Sequence, residues 1–400
     1  MGFHGQLRAR RACLTTLCVA AASCVAGLST AAGQPAAAAG QRVFAATTDN
    51  RAELLEAVPI GRSEGQRKRV ALSLGPGRLP ALSRGDTLRV SAEVQLSVTC
   101  IGKTDQRCIG RPYDFSPRIA AWIVLAGNRR EASGRQTKRI SEVERMQCSQ
   151  RPPNRNHHCV LVVGTDTTEI GATSRLPCRP ERCHVNLVVS ASHPGAEPGN
   201  VVSVGADRPD GTVRQGQARL NAAVVRGPAP APAIVRSERL VSGGIPIAPD
   251  RKAGRRTIYS VELPPLRAGD LVVASARQGS AIGHLPYNVF IGSRMMLSTT
   301  PEARTSDRIA RRIGAPRGQV TEGNGFNCTH GPSAYRNPCL TRKVGMFQVR
   351  RQPLRDGHPV PIYLNLVVGT LAKLHVPRPS DEVRPIGGGV IQAVVYSASA

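Results

Sequence analysis

The stretch DTLRVSAEVQLSV, residues 86–98, alternates polar and apolar side chains almost without a fault. Its apolar members fall at even positions: Leu88, Val90, Ala92, Val94, Leu96 and Val98. Because successive side chains of a β-strand point to opposite faces, this pattern predicts a long antiparallel strand. We expect its apolar face to be buried and its polar face to be exposed to solvent.

Shorter apolar runs with the same character follow along the whole chain. They cover residues 70–74, 119–125, 160–163, 185–189 and 220–225, and then 259–263, 289–297, 344–349, 362–368 and 390–396. Clusters of Gly, Pro and Asp, which form turns, separate the runs. Only residues 51–58, 139–146 and 307–313 suggest short helices. The pattern therefore predicts an all-β protein built from jelly-roll-like or immunoglobulin-like β-sandwiches.

Several landmarks occur twice in the same order. LPALSRGD at 79–86 recurs as LPPLRAGD at 263–270, and NLVV at 186–189 recurs at 365–368. Pro112-Tyr113 is matched in the same way by Pro286-Tyr287. Repeated landmarks in one order indicate a repeated structural unit, so we predict two tandem β-sandwich domains related by internal duplication.

The flanking segments complete this domain organisation. A basic stretch with Arg8, Arg10 and Arg11 precedes an uncharged apolar segment and small residues, which is typical of a secretory signal peptide. We predict a signal peptide over 1–32, a flexible tail over 33–60, domains over 61–226 and 245–400, and a Pro/Ala-rich linker over 227–244. Cys24 leaves lipidation as an open alternative, and beyond the signal no stretch approaches the ~18 apolar residues of a membrane span.

The cysteines outside the predicted signal are even in number, as expected for disulfides in an exported chain. The repeat pairs Cys148 with Cys159 and Cys328 with Cys339, which leaves the close neighbours Cys100 with Cys108 and Cys178 with Cys183. The alternative is a zinc site made by Cys148, Cys159, Cys178 and Cys183 with help from neighbouring histidines. We favour disulfides, and we expect neither a metal nor a cofactor.

The charge is strongly positive. The chain has 54 Lys and Arg residues against 27 Asp and Glu, a formal net charge of +27, and the excess divides evenly between the predicted domains. Such a field attracts anionic polymers, so we expect a secreted or cell-wall-associated protein that binds an anionic polysaccharide or cell-wall polymer, with a site in each domain. The candidate ligand-binding residues are Arg107, Arg111, Tyr113, Phe115, Tyr287 and Tyr335. Nucleic acid is not favoured, because no nucleic-acid-binding motif accompanies the charge.

Catalytic motifs do not stand out. There is no H-E-x-x-H sequence, and GRSEG at 61–65, which matches the letters G-x-S-x-G, is followed by a strand pattern instead of the helix that a nucleophile elbow requires. Asp86 and Asp270 follow glycine at strand starts, which favours turn stabilisation over a pair of glycosidase carboxylates. We therefore expect a non-enzymatic binding protein with no catalytic residues. The alternatives are a secreted glycan-acting hydrolase and a structural surface or coat component.

Overall fold

The computed structural model describes most of the chain. The described residues are 43–49, 58–100, 117–147, 158–169, 176–196, 200–204, 206–207, 213–214, 218–226, 232–248, 254–281, 289–321, 325–328, 339–372 and 376–398. The predicted signal peptide lies outside these residues. Residues 39–400 form one compact unit.

In the described residues, the N-terminal half contains thirteen strands. They are β1 Val43–Asp49, β2 Val58–Gly61, β3 Lys68–Leu74, β4 Thr87–Cys100, β5 Arg118–Ala126, β6 Thr137–Arg139, β7 Glu144–Gln147, β8 His158–Glu169, β9 His184–Ser192, β10 Asn200–Val204, β11 Ala206–Asp207, β12 Val213–Arg214 and β13 Ala218–Val225. These strands form two antiparallel layers, β1-β13-β4-β8 and β3-β9-β5-β7. Strand β10 also pairs with β4, and β2 links the two layers by pairing with β10 on one side and β9 on the other.

The described part of the C-terminal half contains eleven strands. They are β14 Ala233–Ser237, β15 Ile245–Pro246, β16 Arg256–Glu262, β17 Leu271–Ala281, β18 Val289–Ser298, β19 Gly325–Cys328, β20 Cys339–Gln348, β21 Leu354–Arg355, β22 His358–Pro359, β23 Tyr363–Leu371 and β24 Glu382–Tyr396. The two main layers are β14-β24-β17-β20 and β16-β23-β18-β19. Helix is confined, in the described part, to the 3-10 turns Pro180–Arg182, Ala310–Arg312 and Pro316–Gly318.

The two halves share one pairing order. Strands β1-β13-β4-β8 correspond in sequence order and pairing to β14-β24-β17-β20, and β3-β9-β5-β7 correspond to β16-β23-β18-β19. Asn186 of β9 is opposite Val124 of β5, and Asn365 of β23 is opposite Met296 of β18. The repeated NLVV segments therefore occupy corresponding positions in the second layer of each half. The all-β prediction is confirmed, and the expected apolar runs lie in strands.

Each half encloses its own core between its two layers. In the N-terminal half the even-numbered residues of β4, Leu88 to Leu96, are fully buried beside Leu72, Ile119 and Leu187. In the C-terminal half Val272, Leu297 and Leu366 contribute to an equivalent cluster. Fully burying such a side chain stabilises the fold by about 1.5–3 kcal/mol, so these layers hold the sandwiches together.

The expected solvent-exposed face of β4 is corrected by the structure. Ser91, Glu93 and Gln95 are as buried as their apolar neighbours, with at most 1% of each residue exposed. The reason is tertiary, because this face packs against the C-terminal half. Glu93 forms an ion pair there with Lys343, and the Arg89 guanidinium lies 4.1 Å from the centre of the Tyr396 ring.

Three segments differ from expectation. Val43–Asp49, placed in a flexible tail, is a strand that pairs along its full length with β13. Ala233–Ser237, placed in the linker, is a strand that pairs with β24. Residues 139–146, a helix candidate, instead contain the end of β6 and most of β7. In all three, pairing with a strand distant in sequence decides the conformation, and local composition does not report such pairing.

Candidate functional site

The candidate ligand-binding residues from the sequence are not among those that the structure describes. Arg107, Arg111, Tyr113 and Phe115 fall in 101–116, Tyr287 in 282–288 and Tyr335 in 329–338. Their role stays a prediction.

One of the four predicted disulfides is seen in the described residues. Cys178 and Cys183 are bonded across the 3-10 turn Pro180–Arg182. Two sulfurs in a disulfide cannot serve as thiolate ligands, so the alternative zinc site is ruled out. Cys339 is also disulfide-bonded, but the side chain of its expected partner Cys328 lies outside the described atoms. The pairs that involve Cys100, Cys108, Cys148 and Cys159 stay predictions for the same reason.

Asp86 and Asp270 have matching structural roles. Asp86 accepts a hydrogen bond from the Ser83 backbone N–H at 2.7 Å, and Asp270 accepts one from the Arg267 backbone N–H at 2.7 Å. Each carboxylate also contacts the end of its own half, Asp86 through Arg226 and Asp270 through the Ala398 N–H. Both residues are at most 3% exposed, which agrees with the predicted turn stabilisation.

A cleft lies on the outer face of the β16-β23-β18-β19 layer. Its volume is about 160 Å³, and its lining residues are Arg255, Phe290, Gly292, Ser293, Arg294, Val367, Gly369, Thr370 and Leu371. Alternation along β18 explains the lining, because Val289, Ile291 and Met295 are buried in the core while Phe290, Gly292 and Arg294 are half-buried on the opposite face. We call this site the basic cleft.

Glycine forms the floor of the basic cleft. Gly369 of β23 is directly opposite Gly292 of β18, and Gly292 is in turn opposite Gly325 of β19. A row of three glycines thus crosses three neighbouring strands. Because glycine has no side chain, a ligand can approach the backbone closely along this row.

Two arginines give the cleft its charge. Arg294 lies on β18 opposite Val367, and Arg255 directly precedes β16. Burial lowers the pKa of the Arg294 guanidinium, and the neighbouring positive charge of Arg255 lowers it further. Among the described residues, no carboxylate forms an ion pair with either arginine. Two like charges in a partly desolvated cleft favour a bound anion.

The matching face of the N-terminal half is filled. By strand register, Trp122 opposite Val188 takes the place of Arg294 opposite Val367, and Ala120 opposite Ser190 takes the place of the glycine pair. Trp122 packs there on a buried apolar cluster that includes Val188. The Gly65 backbone N–H also donates to the Ser190 hydroxyl at 3.2 Å, which brings the turn before β3 over this face. The basic cleft thus belongs to the C-terminal half, and the site expected in the first domain falls on residues 101–116, outside the described part of the chain, so it stays a prediction.

Glycines were the overlooked signal for this site. Gly292 interrupts the apolar run 289–297, and Gly369 directly follows the run 362–368. A glycine inside a strand weakens it unless something must approach the backbone closely, so these positions mark a candidate site. Their alignment across strands depends on register, which the sequence alone does not provide.

No group of three or more His, Cys, Asp or Glu side chains in the described residues is arranged to hold a metal ion. No helix among those residues is long and apolar enough to cross a membrane.

Comparison with known proteins shows remote likeness only. No protein-family model and no curated protein matches the chain. Among solved structures, a tandem pair of CBM22 domains from Paenibacillus barcinonensis Xyn10C is 9% identical, with 88% of this chain and 91% of that chain covered and a TM-score of 0.19. N-glycanase F (PNGase F) is 8% identical, with 89% and 96% covered and a TM-score of 0.20. A structure of infectious bursal disease virus, Gx strain, is 10% identical, with 90% and 76% covered and a TM-score of 0.23. Scores this low carry no functional argument.

Proposed function

We propose that this chain is a secreted, non-enzymatic β-sandwich protein that binds an anionic extracellular or cell-surface polymer in the basic cleft. The observation that carries the proposal is the placement of Arg255 and Arg294 together above a glycine floor, with no carboxylate lining the cleft in the described part of the chain. A guanidinium offers a rigid set of N–H donors that matches carboxylate, sulfate and phosphate groups.

The net charge of +27 supports the same proposal at longer range. A positive field draws a polyanion towards the protein and raises its association rate, while the cleft provides the specific contact. We further propose that the two halves arose by internal duplication. The shared pairing order and the matching turns at Asp86 and Asp270 support this history. The filled N-terminal face then suggests that one copy kept an open site and the other closed it.

Binding to immobilised polyanions tests the function. The mature protein should be retained on polygalacturonate, heparin or polyphosphate at low salt, should elute as salt rises, and should pass through neutral dextran. Arg294→Gln and Arg255→Gln should each weaken retention about tenfold, because each removes a charged hydrogen-bond donor. Arg351→Gln is the matched control, since Arg351 is exposed in the same half and does not line the cleft. Failure to bind any of the polyanions, or equal loss in all three variants, would contradict the proposal.

A further inference from the structure

The shape of the basic cleft restricts which anion it can take. Its volume is about 160 Å³, and a protein cavity of about 150 Å³ holds one six-membered ring. Inorganic ions such as phosphate or sulfate are much smaller than this space. The cleft therefore has room for a ring in addition to an anionic group.

The lining also has the polarity that a sugar ring requires. Gly292 and Gly369 provide a flat floor, and the apolar residues Val367, Leu371 and Phe290 lie around it. A pyranose ring is apolar over its C–H faces and polar at its edge, so it suits a flat floor with apolar neighbours. A chain of bare phosphates offers no apolar surface to this part of the cleft.

The position of the two arginines places the charge next to the ring. Arg294 is two residues from Gly292 on β18, and Arg255 precedes the first residue of β16, which pairs with Val368 next to Gly369. A uronic acid carries its carboxylate directly on a ring carbon. In a nucleotide, by contrast, a ribose separates the phosphate from the base ring.

We infer that the basic cleft binds one uronic-acid residue of an acidic polysaccharide, with its ring over the Gly292–Gly369 floor and its carboxylate between Arg255 and Arg294. This inference rests on the proposed function and specifies its ligand class. The glycine row that continues to Gly325 of β19 gives the polysaccharide a path across the strands.

A soluble ligand of defined length provides the direct test. Calorimetric titration with trigalacturonate should show binding, and titration with neutral maltotriose should show none. Arg294→Gln should weaken trigalacturonate binding at least tenfold, because the carboxylate loses a charged hydrogen-bond donor. Arg351→Gln should leave the affinity within twofold of the unmodified chain.

A second variant separates the floor from the charge. Gly369→Val adds a side chain to the cleft without altering net charge, at a strand position whose φ is not positive and in a strand, where valine is favoured. This variant should lose at least tenfold in trigalacturonate affinity while its melting temperature stays equal or rises. It should keep the salt-dependent retention on polyphosphate that the overall charge supports.

The outcomes distinguish this inference from the broader function. If tripolyphosphate or a short single-stranded DNA binds as tightly as trigalacturonate, the cleft recognises charge alone and the uronic-acid assignment is wrong. Unchanged trigalacturonate affinity in a folded Gly369→Val protein would also overturn it. The proposed polyanion binding survives both results, and it fails if no polyanion binds or if Arg294→Gln, Arg255→Gln and Arg351→Gln lose retention equally.

Discussion

At the residue scale, Asp307 shows how one carboxylate organises a loop beside the C-terminal core. It accepts backbone N–H groups from Thr299 at 2.5 Å and from Ile309 and Ala310 at 2.9 Å each. Burial alone would raise the pKa of Asp307, but these hydrogen bonds hold it below the usual value of 3.8. Because the folded pKa is the lower one, the ionised group stabilises the fold above the unfolded value, and this contribution is lost as pH falls through the folded pKa.

Replacing Asp307 by Asn should therefore weaken the protein in a pH-dependent way. We expect the free energy of unfolding to fall by about 1–2 kcal/mol at pH 7, since hydrogen bonds to a charged acceptor are lost. Urea unfolding at pH 7 and near pH 2.5 should show the difference between variant and parent shrinking as the parent's carboxylate becomes protonated. Asp356→Asn is the control, because Asp356 is exposed at a turn with φ of 51°, a conformation that Asn also adopts. A constant difference across this range would show that the charge is irrelevant.

At the element scale, β4 shows which features of a strand its sequence pattern can predict. Alternation over residues 86–98 located the strand and selected its core face correctly, because the period of two follows from backbone geometry. The same pattern gave the wrong environment for Ser91, Glu93 and Gln95, which are buried. Polar residues are compatible with water or with a polar interface, and only the packing of the second half decides between them.

The basic cleft was harder to predict than the strands that build it. Apolar runs located β18 and β23, but a one-residue change of register would move Arg294 to the other face of its layer. The register places Gly292 opposite Gly369, and these two residues lie far apart in sequence. The candidate residues chosen from loops depended on composition, whereas this site depends on strand alignment.

The first strand should contribute measurably to stability although composition suggested a tail. All seven residues of β1 pair with β13, which is otherwise paired on its other side with β4. Deleting residues 1–49 should lower the free energy of unfolding by about 2 kcal/mol or more, because backbone hydrogen bonds worth about 0.5–1.5 kcal/mol each are lost. Deleting residues 1–42 is the matched control, since it keeps the strand. Denaturant titration giving the same midpoint for both deletions would mean that β1 does not support the fold.

At the scale of the whole molecule, the two sandwiches share a buried surface. Ala223 and Val225 of β13 pack in one apolar cluster with Leu271, Met346 and Tyr396. The Arg219 guanidinium reaches across to donate to the Val320 carbonyl at 2.9 Å. The interface thus buries an apolar cluster together with polar groups. Because separating the halves would expose these groups, we expect the halves to unfold in a single calorimetric transition.

The Glu93–Lys343 ion pair should be the most sensitive point of this interface. Both side chains are 1% exposed, so Lys343→Met takes this cation away from a buried carboxylate, at an expected cost of about 3–5 kcal/mol. The adjacent Arg342 bridges the halves through Glu144, but these side chains are 45% and 28% exposed, so Arg342→Met should cost under about 1 kcal/mol. Adding Glu93→Gln to Lys343→Met should recover part of the loss, because the buried negative charge is removed together with the positive charge of Lys343. Chemical unfolding of the four proteins measures these differences, and equal effects at Lys343 and Arg342 would show that burial of the pair does not govern the interface.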